Sequence, residues 1–182
     1  MNPDGTQDVN TVSLYETSSE QTVTLGVVDG SNGTAALKIT SKAKNVTVSS
    51  PRLIGGSENC VDLNNECAGI SVSCPAYEVR GKYAISAKTC SGVTFGGHLI
   101  GHGSQWDVNL GSWSDQSSAT QTGTHLALTA ESYPITVWLG NSDMASFDDP
   151  TKYKVIGFGR FGPLVRSIVM FLWSVAKKLH LA

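Results

Sequence analysis

Lys44-Asn45-Val46-Thr47-Val48-Ser49-Ser50-Pro51 returns 24 positions later as Ala68-Gly69-Ile70-Ser71-Val72-Ser73-Cys74-Pro75. It returns again 23 positions on, as Ser91-Gly92-Val93-Thr94-Phe95-Gly96-Gly97-His98. Each copy alternates apolar and hydroxyl residues, the period-2 pattern of a strand with one buried face. A fixed spacing with strand alternation inside every copy describes stacked coils rather than a globular sheet. An array of hairpins also alternates, but it does not hold one offset or keep proline at one phase.

The period extends outward. Counting back 23 positions from Val46 and Val48 reaches Val23 and Leu25, again interleaved with threonine. Val23, Val46, Ile70 and Val93 are therefore expected in one inward column. A second strand leads the first: Leu37 and Ile39 precede Val46 by nine and seven positions, and Val61 and Leu63 precede Ile70 likewise. Leu126 and Leu128 stand in the same relation to Ile135. In the third coil this offset falls on Ala84 and Ser86, so either small residues fill that layer or the register slips toward Tyr83 and Ile85. A third short strand is expected at Arg52-Leu53-Ile54, Tyr77-Glu78-Val79 and His98-Leu99-Ile100. Coils of about 23–24 residues with Gly, Asn and Ser corners resemble the right-handed parallel β-helix of the pectin-lyase-like class. The expected fold class is all-β: a small β-helix body over 1–156, a Gly/Phe joint over 157–162, and an amphipathic C-terminal α-helix over 163–182.

Composition fits one domain with a real core. Of 182 residues, 15% are charged, against roughly 25% in average soluble domains. A formal net charge of −2 gives no basic footprint, so nucleic acid is not an expected partner. Met1 to Asn10 is polar and acidic, without the basic start and apolar centre of a secretory signal. The Ser/Thr-rich surface nevertheless reads as one built for outside the cell. Either a signal has been removed, or the protein leaves the cell inside a virion.

Cys67 and Cys90 fall at one phase of neighbouring coils, about 4.8 Å apart at the strand spacing, within disulfide range. Cys60 and Cys67 bracket a corner and are a second candidate pair. The alternative is a buried ladder of free thiols that includes Cys74. The spacings lack the Cys-x-x-Cys knuckle of a metal site, so no metal and no cofactor are expected.

Chemistry is sparser. Gly101-His102-Gly103 resembles a short motif of the polygalacturonase family, which shares the β-helix fold and hydrolyses acidic glycans with paired aspartates. That resemblance implies Asp-Asp-Cys where this chain has Glu58-Asn59-Cys60, so the carboxylate pair is missing, and glycosidic hydrolysis requires two spaced carboxylates. Asp62 and Asp107 remain as acids, and Asp62 is expected to face solvent. His102 is otherwise a corner residue between permissive glycines, and no catalytic residue is assigned. Asp143, Asp148 and Asp149 lack calcium-loop spacing and read as a solvated turn. Trp106, Trp113 and Trp138 form either a glycan-stacking surface or a cap on the coil stack.

Ser112 to Thr124 breaks the period and reads as a projecting loop, either a candidate contact surface carrying Trp113, Asp115 and Gln116 or a merely tolerated insertion. Beyond Pro163 the material changes. Leu164, Ile168, Phe171, Leu172, Val175 and Leu179 recur at helical spacing on one face. Pro163 to Ala176 would rise about 21 Å, short of the roughly 30 Å hydrocarbon thickness. The segment therefore reads as a partner-binding helix, a cap on the end of its own β-helix, or an interfacial helix for which Arg160, Arg166, Lys177 and Lys178 suit anionic headgroups.

These features add up to a non-enzymatic structural or attachment protein, most concretely a virion surface component of a bacterial virus. Its expected partners are other virion proteins or sister chains through the C-terminal helix, a cell-surface glycan, and a membrane surface. Its expected place is the virion or extracellular surface. The alternatives are a carbohydrate-active enzyme of the pectin-lyase-like class and a membrane-associated host surface protein.

Overall fold

The computed structural model describes residues 10–15, 20–64, 66–111, 123–139 and 145–157. The strands follow in chain order as β1 Asn10–Tyr15, β2 Gln21–Thr24, β3 Val28–Asp29, β4 Ala35–Thr40 and β5 Lys44–Ser49. Next come β6 Leu53–Ile54, β7 Asn59–Leu63, β8 Ala68–Glu78, β9 Ile85–Ala87 and β10 Thr94–Ile100. The last are β11 Val108–Asn109, β12 His125–Ala130, β13 Ile135–Trp138, β14 Ser146–Phe147 and β15 Tyr153–Ile156.

Every ladder between these strands is parallel. The first face runs β1-β4-β7-β9-β11-β13-β15, and the second runs β2-β5-β8-β10-β12-β14. β3 and β6 start a third face that the long strands β8 and β10 enter with their second halves: Leu53 pairs Tyr77, and Tyr77 pairs Leu99. The result is a parallel β-solenoid of about five turns. The three-strand coil expected from Arg52-Leu53-Ile54 and its repeats is present.

Three inward columns run through the core. The first face stacks Val12, Leu37, Val61, Ile85, Val108, Val137 and Val155. The second stacks Val23, Val48, Val72, Phe95, Leu126 and Phe147. Val28, Leu53, Tyr77 and Leu99 fill the third. Except near the two ends, these side chains are fully buried. Each large one contributes roughly 1.5–3 kcal/mol relative to exposure. Tyr77 is a polar intruder whose hydroxyl is satisfied by the carbonyls of Val72 and Gly96, at 3.3 and 3.2 Å.

Two expectations of register are corrected. Val46 pairs Ile70 as foreseen, but its partner in the preceding coil is Gln21, while Val23 pairs Val48. The first coil is longer than the repeat that follows it, so counting back 23 positions lands two residues off. Leu126 and Ile135 exchange faces: Leu126 stacks on Phe95 in the second face, and Ile135 pairs Tyr153 in the first. The cause is the stretch around 112–124, which lengthens one coil and leaves a shorter leg from Leu126 to Val137 than from Val48 to Val61. That shorter leg imitates the nine-residue offset of the earlier coils. In the third coil the register takes the slip, with Val61 opposite Ile85 and Leu63 opposite Ala87.

The corner between the first and second faces repeats a left-handed backbone. Lys42, Glu66 and Thr89 occupy it at φ of 63°, 62° and 56°. Three residues on, Asn45, Gly69, Gly92 and Gly123 do so again at 54° to 65°. Left-handed geometry costs an ordinary residue about 1–2 kcal/mol, which is why Gly and Asn recur at this phase. Leu164, Ile168, Phe171, Leu172, Val175 and Leu179 of the expected helix lie outside the described residues, as do Asp143 and the loop residues Trp113, Asp115 and Gln116. Among the described residues no helix is long and apolar enough to cross a membrane.

Candidate functional site

On a strand that buries one set of side chains, the alternate set faces outward. On the first face that alternate column runs Ser13, Lys38, Asp62, Ser86, Asn109, Trp138 and Ile156, with Ser86 and Asn109 buried within it. Asp62 is half-buried in it and accepts from Asn64 Nδ2 at 3.1 Å. Burial is the main influence on its carboxyl and holds it above the ordinary range, against the pull of Lys38 and Lys88. Asp62 is thus less solvated than its alternation alone implied.

Further along the column, Trp138 stacks on Trp106 with ring centroids 5.6 Å apart and planes 10° from parallel. Tyr83, Lys88, Gln105, Asn109 and Gly111 join the two rings around a depression of about 200 Å³. The Tyr83 hydroxyl donates to Gln105 Oε1 at 2.7 Å. A flat aromatic wall beside amide, hydroxyl and ammonium groups has the chemistry of a sugar subsite: apolar ring faces for C–H groups and polar atoms for hydroxyls.

The corner next to this wall is built around Asp107, which immediately follows Trp106 and is 1% exposed. Its Oδ1 accepts the Gly103 amide at 2.9 Å and faces His102 Nδ1 at 3.0 Å. Its Oδ2 accepts the Thr136 amide and hydroxyl at 2.7 and 2.8 Å. The His102 Nε2 bonds Ser132 Oγ. Gly103 is required here for space, since a β-carbon would stand 2.0 Å from the Trp106 carbonyl oxygen. The Gly-His-Gly signal therefore marks a tight corner that carries a polar chain from Ser132 through His102 to a buried carboxylate.

The other sequence candidates separate. Glu58 is half-buried and paired with Lys82 at 2.7 Å. Asn59 and Cys60 turn inward, and Asn59 Oδ1 is buried without a hydrogen bond. Asp62 and Asp107 are held by separate partners, Asp62 by Asn64 and Asp107 by Gly103 and Thr136. Asp149 caps the short 3-10 turn Pro150–Lys152 by accepting from the Thr151 amide at 3.1 Å. Among the described residues no group of three metal-ligating side chains assembles.

All four cysteines are buried free thiols in this structure. Cys90 sits directly over Cys67 at the corner, tied by the Ser91 amide to the Cys67 carbonyl at 2.9 Å. A hydrogen bond between their sulfurs makes Cys67 the more acidic of the two, and together with burial it pushes Cys90 up. Cys60 is not brought to Cys67; it donates to the Glu78 carbonyl at 3.2 Å, and burial pushes its thiol up to about 12.

Ser132 and Thr136 escaped the sequence reading. They lie 30 and 29 positions from His102 and Asp107 respectively, and that coil is the irregular one. No local motif marks them. The usable signal was positional, since the neighbouring coil supplies whatever stands beside a corner. No protein family, curated protein or solved structure matches this chain.

Proposed function

We propose that this chain is an attachment protein: a right-handed β-helix displayed on the surface of a bacterial virus. It holds a cell-surface glycan against the Trp106–Trp138 wall and joins other virion proteins or sister chains through residues 163–182. The observation that carries this reading is the stacked tryptophan pair beside Asn109, Gln105 and Tyr83. Two large aromatic side chains left half-exposed on an otherwise polar outer face are unusual unless something covers them. A stacked parallel solenoid also suits display, because each coil is braced by its neighbours.

The test is binding of purified protein to a panel of bacterial surface polysaccharides, with Trp106→Ala and Trp138→Ala beside the unchanged protein. Binding that falls at least tenfold in both variants while the fold is retained supports the reading. Equal binding by all three, or none by any, removes the wall as a glycan site.

A further inference from the structure

We propose that Ser132, His102 and Asp107 form a nucleophile–base–carboxylate relay that hydrolyses short-chain carboxylic esters at the outer corner of the solenoid. Three observations converge. The contacts run in the order such a relay needs: Ser132 Oγ to His102 Nε2, then His102 Nδ1 to Asp107 Oδ1 at 3.0 Å. Asp107 is immobilised further: its carboxylate accepts from Gly103 N, Thr136 N and Thr136 Oγ1, and its amide donates to Thr136 Oγ1 at 3.0 Å and to the Thr136 carbonyl at 3.1 Å. Its acceptance of the Nδ1 proton leaves Nε2 with a lone pair toward Ser132, the tautomer a general base requires. Finally, the reacting end is open: the His102 side chain is 38% exposed and Ser132 lies in an exposed turn.

A purely structural corner needs the carboxylate to hold the loop. It does not need a histidine bonded on both nitrogens, nor a serine at its far side. His98 and His125 show the simpler arrangement, each bonded through Nδ1 to one hydroxyl, Thr129 and Ser146, at 2.9 and 3.1 Å.

In the reaction, Ser132 Oγ bonds to the ester carbonyl carbon as its proton passes to Nε2. The imidazolium is stabilised by Asp107. The carbon–alkoxy bond then breaks, and the leaving oxygen takes the proton from Nε2. Water repeats the sequence on the acyl-serine, giving a carboxylic acid and restoring Ser132, so the net change is ester plus water to acid plus alcohol. The Ser132 and Tyr133 amides, which make no hydrogen bond among the described residues, are the nearest donors in sequence for the developing oxyanion. At an exposed turn such as that of Ser132, the acyl group is small, such as acetyl. Trp106 precedes Asp107, and Trp138 shares an outer face with Thr136. An O-acetylated sugar is therefore the fitting alcohol, a refinement that rests on the glycan reading above.

The experiment is hydrolysis of p-nitrophenyl acetate by the full chain, with Ser132→Ala, His102→Ala and His125→Ala. Loss of general base and nucleophile lowers the rate by about 10²-fold or more in the first two. His125→Ala controls for adventitious surface imidazole and keeps the rate. Ser132→Ala still binds the polysaccharide panel while it loses the rate, which separates failure of the wall from failure of the relay. An acetyl adduct mapped to Ser132 by mass spectrometry identifies the nucleophile. A protein that hydrolyses the ester no faster than its Ser132→Ala variant overturns the proposal.

Discussion

Gly97 approaches Cys74 so closely that a β-carbon at Gly97 would stand 1.8 Å from the Cys74 carbonyl oxygen. Its φ of 140° is also one that side-chain-bearing residues avoid. The contact occurs where β10 shifts register against β8, between Gly97 and Leu99. There the chain turns from the second face to the third, over the Tyr77 ring.

Gly97→Ala should therefore destabilise the protein by about 3 kcal/mol or more, combining backbone strain with overpacking. Gly96→Ala is the internal control, because its β-carbon would meet only the Ala127 carbonyl oxygen, at 3.9 Å. Its effect should stay within about 0.5 kcal/mol. Urea denaturation of both variants decides the matter, and equal midpoints would contradict the close approach.

Gly97 also shows how far the sequence was legible. The repeated phrase gave the strand phase, and the pairs Val46–Ile70 and Val48–Val72 follow from it directly. That phase is set by side-chain burial, which is written in the local alternation. Coil length is not written there, because a corner absorbs or sheds residues without disturbing the strands it joins. Hence Leu126 and Ile135 kept their alternation yet exchanged faces. The polar corner suffered more. His102 and Asp107 stood close enough in sequence to be noticed one by one, but Ser132 reaches them only through the stacking of an irregular coil.

The buried thiols and phenols give a pH dependence with a definite sign. Cys60 is held at about 12 by burial, against an ordinary value near 9, and burial also raises Cys74 and Tyr77. Their folded forms keep a proton that the unfolded chain releases first as pH rises. Stability from these groups is complete below about pH 9 and declines as pH climbs toward 12, by at most about 1.4 kcal/mol per pH unit for each group. Cys67, shifted downward, opposes the trend in part. Thermal midpoints measured from pH 7.5 to 11 should fall, and Cys60→Ala should flatten the fall. A midpoint independent of pH over that range would refute it.

The last prediction concerns residues 163–182. Within the described residues the final coil closes on its own groups: Phe147 packs on Tyr153 with centroids 4.7 Å apart, and the Tyr153 hydroxyl accepts the Leu128 amide at 2.7 Å. Among the described residues, the first-face column runs unbroken from Val12 to Val155. If residues 163–182 are the anchor proposed above, truncation after Gly162 should leave a folded, soluble body that no longer assembles with its partner. Burying a large apolar side chain contributes roughly 1.5–3 kcal/mol. Ile168, Phe171, Leu172, Val175 and Leu179 together thus provide a substantial gross driving force, before the cost of ordering them is subtracted. Phe171→Asp should reproduce the loss of assembly by placing a charge among those positions, with the body's thermal midpoint unchanged. Circular dichroism of the truncated body and co-sedimentation with assembled particles supply the two measurements. A truncated chain that unfolds would show the segment to be part of the body's own core, and undiminished assembly would remove it as the anchor.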